Sequence, residues 1–170
     1  MSRLRRLFLS DCYFFVTCNL ARGRSLLGEH DFASLARSIE SCRTSHPFQL
    51  TAWVFLPDHW HGIIYPRRPL TISKVLKSIK LTSTSCINRL RGESGELWQG
   101  RFFDHALRTV QKYHECVHYI HQNPVRRELV ERAEEWKWSS MGSYSRREQI
   151  SLPIDYIQLP SDPHTRLIRG

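Results

Sequence analysis

Apolar and polar positions change period several times along the chain, and each change marks an element. Residues 12–19 (Cys-Tyr-Phe-Phe-Val-Thr-Cys-Asn) are aromatic and β-branched, which predicts a strand, and the polar run from Ala21 to Gly28 reads as a loop. From Asp31 to Arg43, Phe32, Leu35, Ala36, Ile39 and Cys42 recur at helical spacing, with Pro47 beyond as a stop. Gln49–Leu56 and His59–Tyr65 predict two strands joined across Pro57-Asp58, a tight hairpin. Helical period returns over Thr71–Leu90, with a core stripe of Val75, Leu76, Ile79, Cys86, Ile87 and Leu90. Gly92–Gly95 turns the chain, and Arg101–Thr109 predicts a fourth strand. A third helix is expected from about Gln111 to Gln122, closed at Asn123 because the residue before Pro124 is pushed out of the helical region.

The order β-α-β-β-α-β predicts an α+β fold of the split βαβ, ferredoxin-like or RRM-like kind. Its four- to five-stranded antiparallel sheet would carry two helices on one face and leave the other for a ligand or the third helix. Beyond Pro124 the spacing of Trp136, Trp138 and Tyr144 is irregular, which predicts a segment wrapping the domain, and the residues from Pro160 read as a frayed end. The expected organisation is one domain over residues 1–145 and a C-terminal tail over 146–170, with no repeat, linker or second domain.

Composition narrows the partners. A chain of 170 residues, 41% hydrophobic with five Trp and eight Phe, has the material for a sizeable core and excludes a disordered protein. Lys plus Arg exceed Asp plus Glu by 25 to 16, a formal charge of +9, which favours a polyanionic partner. No apolar stretch is long enough to span a bilayer, and the basic then apolar start is too short and too soon broken by Asp11 to be a secretory signal. A cytoplasmic protein with no membrane partner is therefore expected. The five cysteines, Cys12, Cys18, Cys42, Cys86 and Cys116, are odd in number and include no Cys-x-x-Cys, so they read as reduced core residues.

Candidate chemistry begins with Leu-Pro-Asp-His-Trp-His at 56–61. Alternate residues of a strand share a face, so His59 and His61 would point the same way, roughly 7 Å apart at their backbones, with Trp60 packed opposite. Such a pair can grip one metal ion from a rigid sheet. The spacing alone arises by chance in roughly every second chain this rich in histidine, so the context has to carry the argument. Four residues apart on the third helix, Tyr119 and Asn123 project from one face or its final turn. A phenol is a weak nucleophile at neutral pH, but a divalent cation can polarise a phosphate for it. Two imidazoles and one amide oxygen form a mixed N/O set suited to Mg²⁺ or Mn²⁺. Taken alone, the same residues also read as a half-buried tyrosine and a helix cap.

A competing motif lies on the same helix. His114-Glu115-Cys116-Val117-His118 is a literal H-E-x-x-H, the zinc protease pattern. It needs a third ligand, for which Glu134 or Glu135 has a loosely possible spacing, and Pro124 would break the helix before a second ligand helix is established. If Tyr119 faces the site, His118 lies about 100° around the helix, on another face.

Three ordered blocks, Leu-Pro-Asp-His-Trp-His (56–61), Trp-Gln-Gly-Arg-Phe-Phe-Asp-His (98–105) and Tyr-Ile-His-Gln-Asn-Pro-Val-Arg (119–126), resemble the REP-associated tyrosine transposases, members of the HUH single-strand endonucleases. Trp-Lys-Trp-Ser-Ser (136–140) is similar to the tail of that family, and the likeness runs from about Arg5 to Tyr144. The resemblance implies that His59 and His61 are metal ligands, Asn123 the third ligand and Tyr119 the nucleophile. It implies cleavage of single-stranded DNA at short palindromic hairpins flanked by a tetranucleotide, through a 5′-phosphotyrosine link that a 3′-OH later resolves. A Mg²⁺ or Mn²⁺ ion and action as a monomer or homodimer belong to the same expectation. A protein that binds such hairpins without cutting them is the alternative.

Basic residues fit that substrate. Arg3, Arg5 and Arg6 form a basic arm, Lys74, Lys77, Lys80, Arg89 and Arg91 alternate with the stripe of the second helix, and Arg101, Arg108, Arg126 and Arg127 fall near the proposed site. Trp98, Phe102 and Phe103 are candidates to stack on unpaired bases, and His105 either assists the site or packs beneath it.

Overall fold

The computed structural model describes residues 12–145 and 150–167, so the arm of Arg3, Arg5 and Arg6 lies outside the described residues. Four strands, β1 (Tyr13–Asn19), β2 (Phe48–Leu56), β3 (His59–Pro66) and β4 (Phe103–Leu107), form one antiparallel sheet in the order β2-β3-β1-β4. Helix α1 (Glu29–Ser45) lies between β1 and β2, α2 (Ile72–Arg91) between β3 and β4, and α3 (Val110–Arg126) follows β4. This is the split βαβ arrangement, with four strands among the described residues.

The strand alternation builds two cores. Phe14, Val16 and Cys18 of β1, Leu50, Trp53 and Phe55 of β2 and Trp60 and Ile64 of β3 join Phe32, Leu35 and Ile39 of α1 and Val75, Leu76 and Ile79 of α2 on one face. Phe15, Ala52, Val54, Leu56, Ile63 and Leu107 meet Tyr113, Cys116, Val117 and Ile120 of α3 on the other. Apolar burial on both faces makes the sheet a stiff central layer. In α2 the stripe is narrower than its sequence suggests. Ser83 is buried, hydrogen-bonded to the Ile79 carbonyl at 2.6 Å, whereas Cys86 is only half-buried and Leu90 is 54% exposed. Gly92 ends the helix in the left-handed conformation at φ 65°.

Two expectations are corrected near the C-terminus. Helix α3 does not close at Asn123 but carries Pro124 inside it and ends at Arg126. Asn123 and Pro124 are buried, so packing of this last turn offsets the missing proline N–H. The turn is finished by Leu129 N–H donating to the Pro124 carbonyl at 2.9 Å, with Glu128 at a positive φ of 57°. Residues 163–167 are docked rather than frayed: Gln111 N–H donates to the Pro163 carbonyl at 2.8 Å and Leu167 N–H to the Arg108 carbonyl at 2.9 Å. The orphan N–H groups at the start of α3 are what recruit it.

The wrapping segment covers the open edge of β2. Phe55 N–H donates to the Trp138 carbonyl, Ser140 N–H to the Trp53 carbonyl and Asp155 N–H to the Leu50 carbonyl, at 2.9, 2.9 and 2.8 Å. These bonds satisfy an edge that would otherwise invite pairing with another chain. Among the described residues no helix is long and apolar enough to cross a membrane.

Candidate active site

A cleft of about 770 Å³ lies between the sheet and α3. Phe15, Thr17, His61, Phe103 and His105 form its floor, and Lys112, Glu115, Cys116, His118, Tyr119, Gln122 and Arg126 its helical wall. The floor follows from register. Thr17 pairs with both His61 and Phe103, and Phe15 with both Ile63 and His105, so every floor residue projects from the α3 face.

His59 and His61 share that face, as the alternation predicts, with Trp60 wholly buried on the other. Their Nε2 atoms are 3.1 Å apart. Each Nδ1 is already engaged: that of His59 donates to Asp58 Oδ1 at 2.6 Å, and that of His61 lies 2.8 Å from Thr17 Oγ1. Anchoring of both Nδ1 atoms leaves the two Nε2 atoms facing each other at hydrogen-bond distance. Two nitrogen ligands at right angles on a cation, each at about 2.1 Å, stand about 3.0 Å apart, so the observed spacing fits a shared ion. Burial pushes the His61 imidazole down to about 3, helped by His59, and burial holds His59 below its ordinary value despite Asp58. Both rings are therefore neutral near pH 7, the form that ligates a metal.

Tyr119 stands over this pair. Its ring centroid is 5.4 Å from that of His61 and 5.8 Å from that of Phe15, edge-on to both, and the residue is 38% exposed at the mouth of the cleft. The guanidinium of Arg126 lies 5.5 Å from the same ring. Asn123, one turn beyond Tyr119, is buried, and its neighbour Gln122 lines the cleft. His105 sits farther along the floor, its ring 5.3 Å from that of Phe15 and its Nε2 3.9 Å from Cys116 Sγ. Burial, then the charge of Lys112, lowers its imidazole below the ordinary value.

The basic residues divide. Arg126 is in the cleft, while Arg127 turns away to pair with Asp58 at 2.8 Å. Lys74 and Lys77 are exposed on α2, across the sheet from the cleft, and Lys80 Nζ donates to the Gln99 and Gly100 carbonyls at 2.6 and 3.0 Å. Arg101 and Arg108 are exposed at the two ends of β4, outside the cleft lining. Of the candidate stacking rings, Phe103 is 55% exposed and lines the cleft. Trp98 is a core residue whose Nε1 donates to Ser83 Oγ at 2.9 Å, and Phe102 is half-buried against the same core.

The H-E-x-x-H residues do not assemble a zinc site. His118 lines the cleft beside Tyr119 rather than facing elsewhere, because the cleft is wide enough to take in more of the helix than one stripe. His114 is exposed against the Tyr113 ring, and Glu135 is held by Arg132 at 2.8 Å. Among the described residues no group of three or more His, Cys, Asp or Glu side chains is placed to hold a metal, so any ligand set around His59 and His61 must draw on an amide, water or substrate. Sequence reasoning missed Thr17 and Gln122 as cleft residues. It also missed Asp58, although that carboxylate directly precedes His59.

The family described as "Transposase IS200 like" matches residues 9–123. A REP-associated tyrosine transposase of Escherichia coli K12 is 32% identical over 141 residues, 82% of this chain and 82% of that protein. The structure of a REP-associated tyrosine transposase bound to a REP hairpin is 29% identical, covers 99% of this chain and 100% of its own, and superposes with a TM-score of 0.75. A Deinococcus radiodurans R1 protein shares the fold alone, at 15% identity, 71% of this chain, 95% of its own and a TM-score of 0.51. With the family model matching residues 9–123 and a relative 32% identical over 82% of the chain, this protein belongs to the IS200-like transposases.

Proposed function

We propose that this transposase is a metal-dependent single-strand DNA endonuclease that cuts and rejoins DNA at hairpin repeats, working in the cytoplasm. The observation that carries the reading is that His61 and Tyr119 line one cleft, their rings 5.4 Å apart, with His59 Nε2 3.1 Å from that of His61. A relative solved with a REP hairpin supports the substrate class.

His59 and His61 would hold a Mg²⁺ or Mn²⁺ ion through Nε2, with the Asn123 amide, on the helix face of Tyr119, as third ligand. When bound, such an ion supplies Lewis-acid polarisation of the scissile phosphate and relieves its developing charge. Tyr119 attacks the phosphorus in line through its phenolic oxygen. A P–O bond to tyrosine forms, the P–O3′ bond breaks, the phenolic proton is released and the leaving 3′ oxygen takes up a proton. The products are a 5′-phosphotyrosine and a free 3′-OH. Attack by a 3′-OH reverses these changes and rejoins the strand, with bond energy conserved in the covalent intermediate. Arg126 borders the phosphate path, and Phe103 offers an open ring to an unpaired base. Lys74, Lys77, Arg101 and Arg108 lie outside the cleft and would act on a longer stretch of DNA, as would Arg3, Arg5 and Arg6.

The test uses single-stranded DNA carrying a palindromic hairpin and a 3′ label, incubated with Mn²⁺ or Mg²⁺. A denaturation-resistant labelled adduct is expected, absent in Tyr119→Phe and lost in His59→Ala or His61→Ala. DNA that shifts in a gel but stays whole, with no adduct, refutes the enzymatic reading in favour of a hairpin-binding protein.

A further inference from the structure

The hairpin turn between β2 and β3 joins two parts of the site. Asp58 occupies that turn and uses both carboxylate oxygens: Oδ1 accepts from His59 Nδ1 at 2.6 Å, and Oδ2 accepts from Arg127 Nη2 at 2.8 Å. The turn backbone is itself pinned, since Leu20 N–H donates to the Asp58 carbonyl and Leu27 N–H to the Pro57 carbonyl, each at 2.8 Å. Arg127 caps the C-terminus of α3, eight positions beyond Tyr119, about 12 Å along the helix axis. One carboxylate thus links an imidazole of the sheet to the end of the helix that bears the tyrosine.

Stability does not explain this link. The side chains of Arg127 and Asp58 are 43% and 41% exposed, and ion pairs so open to water add little to folding. Orientation does. A carboxylate accepting from Nδ1–H commits the neutral imidazole to the tautomer with its lone pair on Nε2, the atom that faces His61. A carboxylate free to rotate in a turn would hold that tautomer poorly, and Arg127 removes the freedom with a charge-assisted hydrogen bond.

We infer that Arg127 and Asp58 are positioning residues for the DNA-transfer reaction: Arg127 orients Asp58, and Asp58 orients His59, so that the histidine hairpin and the end of the tyrosine helix are set as one unit. The inference rests on the function proposed above and reassigns Arg127, a basic residue of a DNA-binding protein, from phosphate contact to internal alignment. Arg126, one residue earlier, faces the cleft and serves as the contrast.

The experiment measures Mn²⁺ uptake without DNA, from the loss of the free-ion paramagnetic resonance signal, and separately measures hairpin affinity in EDTA. Asp58→Ala is expected to weaken Mn²⁺ binding about 10- to 100-fold and Arg127→Gln about threefold or more, with recovery in Arg127→Lys. Hairpin affinity of Arg127→Gln in EDTA is expected to stay within about twofold of wild type, while Arg126→Gln weakens it and lowers the salt slope by about one. Unchanged Mn²⁺ affinity in both Asp58→Ala and Arg127→Gln overturns the relay alone, provided the wild type takes up Mn²⁺. Loss of hairpin affinity in Arg127→Gln equal to that in Arg126→Gln also overturns it, making Arg127 a DNA contact. A wild-type chain that takes up no Mn²⁺ overturns both the relay and the functional reading beneath it.

Discussion

Acidification from pH 7 to pH 5 should destabilise this protein well before its carboxylates titrate. His61 and His121 are 4% and 5% exposed, and burial pushes their imidazoles from 6.5 down to about 3 and about 4. His121 is packed against the Tyr144 ring at 4.7 Å, and its Nε2 lies 2.9 Å from Ser140 Oγ, the hydroxyl that also accepts from Trp53 N–H. A histidine whose folded pKa is depressed contributes stability that is present in full above the unfolded value. That contribution drains away as pH falls from 6.5 and is gone by the folded value. Between pH 7 and pH 5 the unfolded chain takes up about 0.7 of a proton at each site and the folded chain almost none, a loss of about 2 kcal/mol per histidine and about 4 kcal/mol together. With a urea slope of about 2 kcal/mol per molar, the unfolding midpoint in EDTA should drop by about 2 M. His121→Gln should remove about half of that pH dependence. A midpoint that moves by less than about 0.5 M, or a His121→Gln protein with the wild-type pH profile, would refute the reasoning.

Two further outcomes are expected. A Cβ at Gly62 would stand 3.1 Å from Trp60 Cζ3 and 3.5 Å from the Ala52 carbonyl, and Trp60 is wholly buried with nowhere to move. Gly62→Ala should therefore cost about 1–3 kcal/mol in urea unfolding, and a midpoint equal to wild type would mean the ring has slack. His114→Ala should leave Mn²⁺ uptake and adduct formation within about twofold of wild type, since the ring is exposed on α3 outside the cleft. Metal lost from that variant would bring the H-E-x-x-H motif back into consideration.

Local periodicity carried most of the fold. The alternation in Leu56 to Tyr65 was enough to put His59 and His61 on one side and Trp60 on the other, and the helical period from Gln111 was enough to put Tyr119 on a third helix, though not to say which wall of the sheet that helix covers. Pairing across the chain was not readable that way. Thr17 reaches His61 because β1 pairs with β3 in one register, and a shift of one residue would have turned it to the opposite face. Arg127 reads as one more cation of a basic chain until its partner, 69 residues earlier, is seen. Pro124 looked like a helix end because the dipeptide rule is local, whereas burial of the last turn is tertiary. Docking of residues 163–167 depends on backbone donors of α3, which leave no mark in side-chain pattern.

The site depends on two periods that must agree at one place. The two-residue period of β3 fixes the imidazoles, and it is enforced from behind: Trp60 and Ile64 are wholly buried among α1 and α2 residues, so a slip in β3 would expel them. The 3.6-residue period of α3 fixes the tyrosine, because Tyr113, Cys116, Val117 and Ile120 are taken by the opposite core and leave Tyr119 at its rim. Nothing in either period relates the two elements to each other along the helix axis. A helix held only by apolar packing can slide or rotate slightly at small cost, and transfer chemistry is sensitive to displacements of about 1 Å. The chain addresses that freedom at both ends of α3, with backbone bonds from residues 163–167 at its start and the Arg127–Asp58 contact at its finish. The proposed nucleophile on one element and the proposed metal-holding hairpin on another can be aligned reproducibly only if such ties exist, which is why the least conspicuous pair of charges beside the cleft is the one whose removal is most informative.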